Sequence, residues 1–291
     1  MKNKVVVFGE MLWDCLPSGS VPGGAPMNVA LHLHQLGLDS KLISAVGDDV
    51  EGKKLIDFLT TFGFQTQLIQ VIADQETSKV LVDDSDPENM KYEIVSPVAW
   101  DFIQWNSETE HEVAKSDAFV FGTLGVRNPE SLSTLIKLIH QKTLRIFDAN
   151  LRSPYYDFEI IETLLGFTDI LKINEDELEI FADYFDLEPN IKTVCEHLDN
   201  HFPMDLICIT KGSKGALIFK GGEFWEHSGY KVEVADSIGA GDAFLSGFIK
   251  CYLEKKSLEE TLDFACKLGA FVASKKGGTP KYTASEVHAI Q

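Results

Sequence analysis

Asp236-Ser237-Ile238-Gly239-Ala240-Gly241-Asp242-Ala243-Phe244, continued by Leu245-Ser246-Gly247-Phe248, joins an anion site to a carboxylate. Its small residues let the backbone approach a charged group closely. The apolar positions after Asp242 (Phe244, Leu245, Phe248 and Ile249) mark the buried face of a helix that starts near Ala240. The N-terminus of such a helix offers unpaired N–H groups and the positive end of a dipole, which suits a phosphate. Asp242 then stands in the first turn, beside the phosphate. The same residues also read as a glycine turn with a capping aspartate, so the meaning of the stretch depends on the rest of the chain.

Around this stretch the chain alternates. Short apolar runs at 5–8, 42–46, 118–121, 145–147, 170–173 and 206–209 read as buried strands. Helical patterns at 27–36, 52–62, 129–141, 175–184 and 191–201 lie between them, and two more follow near 240–253 and 258–274. Such alternation implies a parallel sheet covered on both faces, with ligands gathered at the carboxyl ends of its strands. Residues 216–220 and 223–226, joined by Gly221-Gly222, form a hairpin at the sheet edge. Residues 67–72, 79–82 and 92–95 break the alternation, being short extended runs with no helix between them.

Composition bounds the function. The 291 residues are 44% hydrophobic and 24% charged, ordinary for a globular chain with ample core. Asp and Glu number 45 against 26 Lys and Arg, a formal charge of −19. That surface repels nucleic acid and anionic lipid, so any anionic substrate must be held by local charge. The five cysteines are scattered without a C-x-x-C pair, which argues against a disulfide framework or a structural zinc site. The first apolar run is too short for a signal or a membrane span, and a cytoplasmic location is expected. No G-x-x-x-x-G-K-S/T occurs, and no G-x-G-x-x-G follows the first strand. His32 and His34 face different sides of a helix, His111-Glu112 lacks a second histidine, and the acidic turn at 83–89 lacks the glycine of a calcium loop.

A second glycine motif, Gly23-Gly24-Ala25-Pro26-Met27-Asn28-Val29-Ala30, opens the first helix. With the stretch at 236–248, it resembles the signatures of the ribokinase-like (PfkB) family of ATP-dependent sugar kinases. The form of this motif, Phe147-Asp148-Ala149-Asn150-Leu151-Arg152 and Lys172-Ile173-Asn174-Glu175-Asp176-Glu177-Leu178 look most like its fructokinase branch. The resemblance covers nearly the whole chain. It implies an α/β three-layer sandwich over residues 1–291, with a mostly parallel central sheet and a small β-sheet lid built from 11–24 and 66–98.

It also implies roles. Asp242 would accept the proton of a sugar hydroxyl, while the N–H groups of Gly239, Ala240, Gly241 and Asp242 hold the charge on the moving phosphoryl. Asp14, Gly23, Gly24, Asn28, Asn150 and Arg152 would bind the sugar, although Arg152 could equally pair with a neighbouring acid. Asn174, Thr210, Lys211, Gly212 and Gly241 fall on the ATP side, where Lys214 would add positive charge. Asn174 and Glu177 also have the spacing of a capping box. Glu177 would orient water on Mg²⁺ rather than chelate it, and Asp236, near Lys276-Gly277-Gly278, is the candidate for K⁺. The expected substrate is D-fructose. 2-Keto-3-deoxygluconate kinase, ribokinase and a catalytically silent sugar- or nucleotide-binding sensor stand as alternatives, and a homodimer is left open.

Overall fold

The computed structural model describes residues 2–16, 19–83 and 91–290. The acidic turn expected at 83–89 falls, beyond Asp83, outside the described residues. In chain order the elements are β1 (Lys4–Phe8), β2 (Leu12–Leu16), β3 (Gly19–Gly23), α1 (Ala25–Gln35), β4 (Asp39–Gly47), α2 (Val50–Thr60), β5 (Ile69–Ile72), β6 (Lys79–Asp83) and β7 (Lys91–Ile94). Then come α3 (Ser107–Ala114), β8 (Ala118–Gly122), α4 (Pro129–Ile139), β9 (Leu144–Asp148), α5 (Phe158–Leu165), β10 (Ile170–Asn174), α6 (Glu175–Tyr184) and α7 (Ile191–His201). The last are β11 (Leu206–Thr210), β12 (Ala216–Lys220), β13 (Glu223–His227), α8 (Ala240–Leu253), α9 (Leu258–Ala273) and α10 (Ala284–His288).

A nine-stranded sheet runs in the order β13-β12-β11-β10-β9-β8-β1-β4-β5. It is parallel from β11 through β5, and the β12–β13 hairpin adds two antiparallel strands at one edge. Gly221 and Gly222 both take positive φ (57° and 83°), as a two-residue hairpin turn requires. Side chains alternate across the sheet. Val5 and Val7 join one core with α1, α2, α8 and α9, including Met27, Leu55, Phe248 and Leu262. Val6 and Phe8 join the opposite core with α4 to α7, including Leu138, Leu164, Phe181 and Leu198. The expected three-layer sandwich is thus observed.

A second, four-stranded sheet has the order β3-β2-β6-β7. This smaller sheet is built from 12–16, 19–23, 79–83 and 91–94, a narrower set than the 11–24 and 66–98 expected for it. Ile69–Ile72 pairs in parallel with β4 and belongs to the main sheet. A four-residue apolar run suits either sheet, and its pairing decides. Both approaches to the smaller sheet's β6–β7 pair are tied down. Before β6, Thr77 Oγ1 donates to Asp49 Oδ1 (2.7 Å) and accepts from Gly47 N (3.0 Å). After β7, the Arg127 guanidinium donates to the carbonyl of Val95 (2.7 Å) while held by both oxygens of Asp101 (2.8 and 2.9 Å).

Helices α3 and α5 are absent from the sequence reading. In α3 only Thr109 and Val113 are buried, so its apolar period is faint, and Asn106 caps it through Thr109 N. Helix α5 is short and announced mainly by its cap, Asp157, which accepts from Glu159 N. No helix among the described residues is long and apolar enough to cross a membrane.

Candidate active site

The strands end one residue beyond their apolar runs, which puts polar side chains at their carboxyl ends: Asp148 on β9, Asn174 on β10 and Thr210 on β11. The turn into α8 comes up against these ends. Gly239 is its N-cap at φ 74°, a left-handed conformation that favours glycine. A Cβ there would lie 2.5 Å from Gly278 Cα, so the turn is packed backbone on backbone against the 277–278 loop. Asp236 braces both segments, since its carboxylate accepts from Ile238 N (3.0 Å) and Gly277 N (3.1 Å). The Ala240 N–H is taken by Ser237 O at 3.3 Å, whereas no backbone acceptor meets the N–H groups of Gly241 and Asp242. The Gly239 N–H likewise meets no acceptor among the described residues, so three of the four expected donors, those of Gly239, Gly241 and Asp242, are open to an anion.

Asp242, third residue of α8, turns its carboxylate toward α1, where Asn28 Nδ2 donates to Oδ2 at 2.8 Å. Burial pushes its pKa up to about 6, and the Asp148 carboxylate adds to the rise. The Asn28 hydrogen bond, Lys172 and Arg152 oppose it. Asn28 is 3% exposed, and its Oδ1 has no partner among the described residues. A buried, unmatched acceptor beside a base is suited to a hydroxyl donor.

Of the sugar-side candidates, Asn28 bonds to this carboxylate and Arg152 acts on it through its charge. Gly24 caps α1 at φ 106°, and a Cβ there would meet Glu10 O at 2.7 Å. Gly23 lies directly under Asp14, whose Oδ2 a Cβ would strike at 2.1 Å. Burial raises the Asp14 pKa, while Arg152 lowers it. Asn150 sits at φ 40° and accepts from Arg152 Nη2 at 2.8 Å. The exposed Arg152 acts electrostatically on Asp14, Glu10 and Asp242, which places its charge among all three.

Two groups here were missed from sequence. Glu10 is 3% exposed, and burial drives its pKa to about 7. Lys172, on β10, forms a buried ion pair with its β9 neighbour Asp148, Nζ to Oδ1 at 2.9 Å. A lysine inside the run Ile170-Leu171-Lys172-Ile173 was the available signal, because a charge buried in a parallel strand needs a partner.

On the other side of the turn opens a cleft of about 850 Å³. Asn174, Thr210, Lys211, Gly212, Ala240 and Gly241 line it, together with the apolar Val232, Phe244 and Ala270. Asn174, Thr210, Lys211, Gly212 and Gly241, expected on the nucleotide side, are thus brought together, whereas Lys214 does not line the cleft. Their charges differ from expectation: Lys211 pairs with Glu226, and Lys214 with Glu175 at 3.1 Å. Asn174 and Glu177 form a reciprocal capping box, Glu177 N to Asn174 Oδ1 at 2.8 Å and Asn174 N to Glu177 Oε2 at 2.9 Å. The other oxygen, Oε1, accepts from Leu151 N at 2.8 Å. Glu177 therefore ties the 150 loop to α6, with lone pairs left for a metal-bound water and no free oxygen for chelation.

Comparison with known proteins agrees with this geometry. The pfkB family carbohydrate kinase description matches residues 3–284. A protein named probable fructokinase-7 from Arabidopsis thaliana is 28% identical over 305 residues, 95% of this chain and 88% of its own. An ATP-dependent 6-phosphofructokinase from Thermoanaerobacterium thermosaccharolyticum is 30% identical over 282 residues, 89% of this chain and 85% of its own. Among solved structures, a fructokinase with bound ATP from Xylella fastidiosa shares the fold with a TM-score of 0.88, covering 99% of this chain and 98% of its own at 21% identity.

Proposed function

The chain belongs to the pfkB family of carbohydrate kinases, and from that premise we propose that it transfers the γ-phosphoryl group of ATP to a terminal hydroxyl of D-fructose. The observation that carries this reading is the position of Asp242. Its carboxylate meets Asn28 on one side, while the adjoining Ala240 and Gly241 line a nucleotide-sized cleft, and it stands in the first turn of a helix with open N–H donors.

The sugar lies against Asp14, Gly23, Gly24, Asn28 and Asn150, which suit a neutral polyol. Asn28 Oδ1 is free to accept from a sugar hydroxyl. Adenine fits the apolar end of the cleft, and the phosphates run along Thr210 to Gly212 toward the turn. As the hydroxyl oxygen attacks the γ-phosphorus, its proton passes to Asp242, and the N–H groups of Gly241 and Asp242 receive the equatorial charge. Glu177 would meet, through water, an Mg²⁺ ion arriving with the nucleotide, and that ion would supply charge to neutralise the phosphates. Among the described residues no group of three or more acidic, His or Cys side chains is arranged to hold a metal by itself, which fits an ion bound mainly by phosphate and water. Asp236 braces the turn through backbone N–H groups, and a K⁺ site there would use the neighbouring carbonyls. The lid of β2, β3, β6 and β7 covers the sugar, the whole chain acting as one kinase unit.

A second reading has a specific basis, because one relative is named a 6-phosphofructokinase and Arg152 is an exposed cation beside the sugar pocket. A coupled ADP-release assay over fructose, fructose 6-phosphate, ribose and 2-keto-3-deoxygluconate separates the readings. Fructose should lead in kcat/KM by at least about tenfold, or ~1.4 kcal/mol in transition-state binding. A lead for an anionic sugar would transfer the assignment to that substrate and give Arg152 the recognition role.

A further inference from the structure

Lys172 has no part in the scheme above, yet its ammonium sits beside the reaction. Its side chain is 7% exposed, and Nζ makes one hydrogen bond among the described residues, to Asp148. An ammonium carries three donors, so two are left over in a buried place. Nζ also lies against the N-terminus of α8: a methyl group on Gly241 would stand 3.7 Å from it. A cation at the positive end of a helix has the wrong sign for the dipole. The carboxylates of Asp148, Glu177 and Asp242 hold the charge there, and Nζ and the open N–H groups of Gly241 and Asp242 are left to converge on one anion. Lys211 and Lys214, the cations expected for that task, are taken by Glu226 and Glu175.

We propose that Lys172 is a catalytic residue, its ammonium binding the γ-phosphoryl group during transfer while Asp148 fixes it in place. The proposal rests on the kinase reading and deepens it. In the step, the bond from the sugar oxygen to phosphorus forms. The bond from phosphorus to the ADP oxygen breaks with its electron pair, and the hydroxyl proton goes to Asp242. Lys172 gives up no proton. It supplies fixed positive charge where negative charge is spread over the phosphoryl oxygens, without reorganising as the charge develops. Lysine suits this task as a compact point charge.

The test compares wild type, Lys172→Met and Lys172→Arg by kcat, by sugar KM, by ADP affinity, and by affinity for ADP with aluminium fluoride, Mg²⁺ and fructose, a mimic of the transferring phosphoryl. Lys172→Met should lower kcat by roughly 10²–10³, the range for removing a preorganised donor. Affinity for the aluminium fluoride complex should fall by a similar factor, while ADP affinity and sugar KM stay within about threefold. Lys172→Arg should recover part of the loss. A Lys172→Met variant with kcat near wild type, or one whose ADP affinity falls as far as its kcat, overturns the proposal. Removing Lys172 alone leaves Asp148 buried and unpaired, so Lys172→Met with Asp148→Asn serves if the single variant does not fold. Failure of both to fold would assign Lys172 to the core and overturn the proposal. A folded wild type that turns over no sugar of the panel sinks the kinase reading itself, whereas an active wild type with an equally active Lys172→Met sinks only this inference.

Discussion

Asp242 can take a proton only while ionised, and its surroundings hold it close to the working range. Burial raises its pKa to about 6, Asp148 pushes in the same direction, and the Asn28 hydrogen bond restrains the rise. The base is lost as pH falls through that value, so kcat/KM should climb from pH 5 to 7 and level off above. Asp242→Asn keeps the shape and cannot accept a proton. It should fold and bind ATP normally, lose roughly 10²–10⁴ in kcat, and no longer show the rise near pH 6. The loss should sit toward the low end, because a loose transition state demands little activation of the nucleophile. Wild-type turnover in that variant would reduce Asp242 to a cap. A residual pH rise would point to Glu10, whose pKa lies at about 7.

The turn before α8 shows what an element needs from its glycines, and its two glycines separate stability from chemistry. Gly239 is left-handed, and any side chain there would meet the Gly278 backbone at 2.5 Å. Gly239→Ala should cost about 1–3 kcal/mol, read from a denaturant or thermal melt, through strain at a special φ and a displaced loop. Gly241 is already helical, and a methyl there meets only Lys172 Nζ at 3.7 Å, an ordinary contact. Alanine is the better helix former, so Gly241→Ala should melt at or above wild type. Its methyl would still stand between Lys172 and the open N–H groups, and turnover should fall at least about tenfold. Equal melting losses in both variants would remove the distinction. The turn itself was legible in the sequence, since small residues, a carboxylate and an apolar helical period sit within thirteen positions. So were the capping box at Asn174 and Glu177 and the Gly23-Gly24 motif that opens α1. Lys172 and Glu10 were not, because their meaning comes from neighbours far along the chain: Asp148 across a strand pair, and Arg152 and Asp242 around the pocket. Local periodicity carries no trace of such pairings.

At the scale of the whole chain, the parallel sheet and its edge hairpin were readable, whereas the order of strands and the extent of the smaller sheet were not. Alternating runs fixed the parallel sheet, whereas β5 could have joined either sheet until its pairing with β4 assigned it. Under the proposed function, that assignment leaves β5 outside the sheet that would close over the sugar. Water reaching the γ-phosphoryl would compete with the sugar, so a cover that closes on substrate has a chemical purpose. The β6–β7 part of the four-stranded sheet lies between two anchors, Asp49 with Thr77 before β6 and Arg127 with Asp101 after β7. Saturating fructose with a nonhydrolysable ATP analogue should therefore slow amide hydrogen exchange in β2, β3, β6 and β7. Exchange in β5, held between β4 and the loop at Gln104 through Gln70, should stay as it was. Unchanged exchange in all four lid strands would show that this sheet is no lid. Slowing spread equally over β5 would show that ligand stiffens the whole edge of the molecule instead of closing a cover.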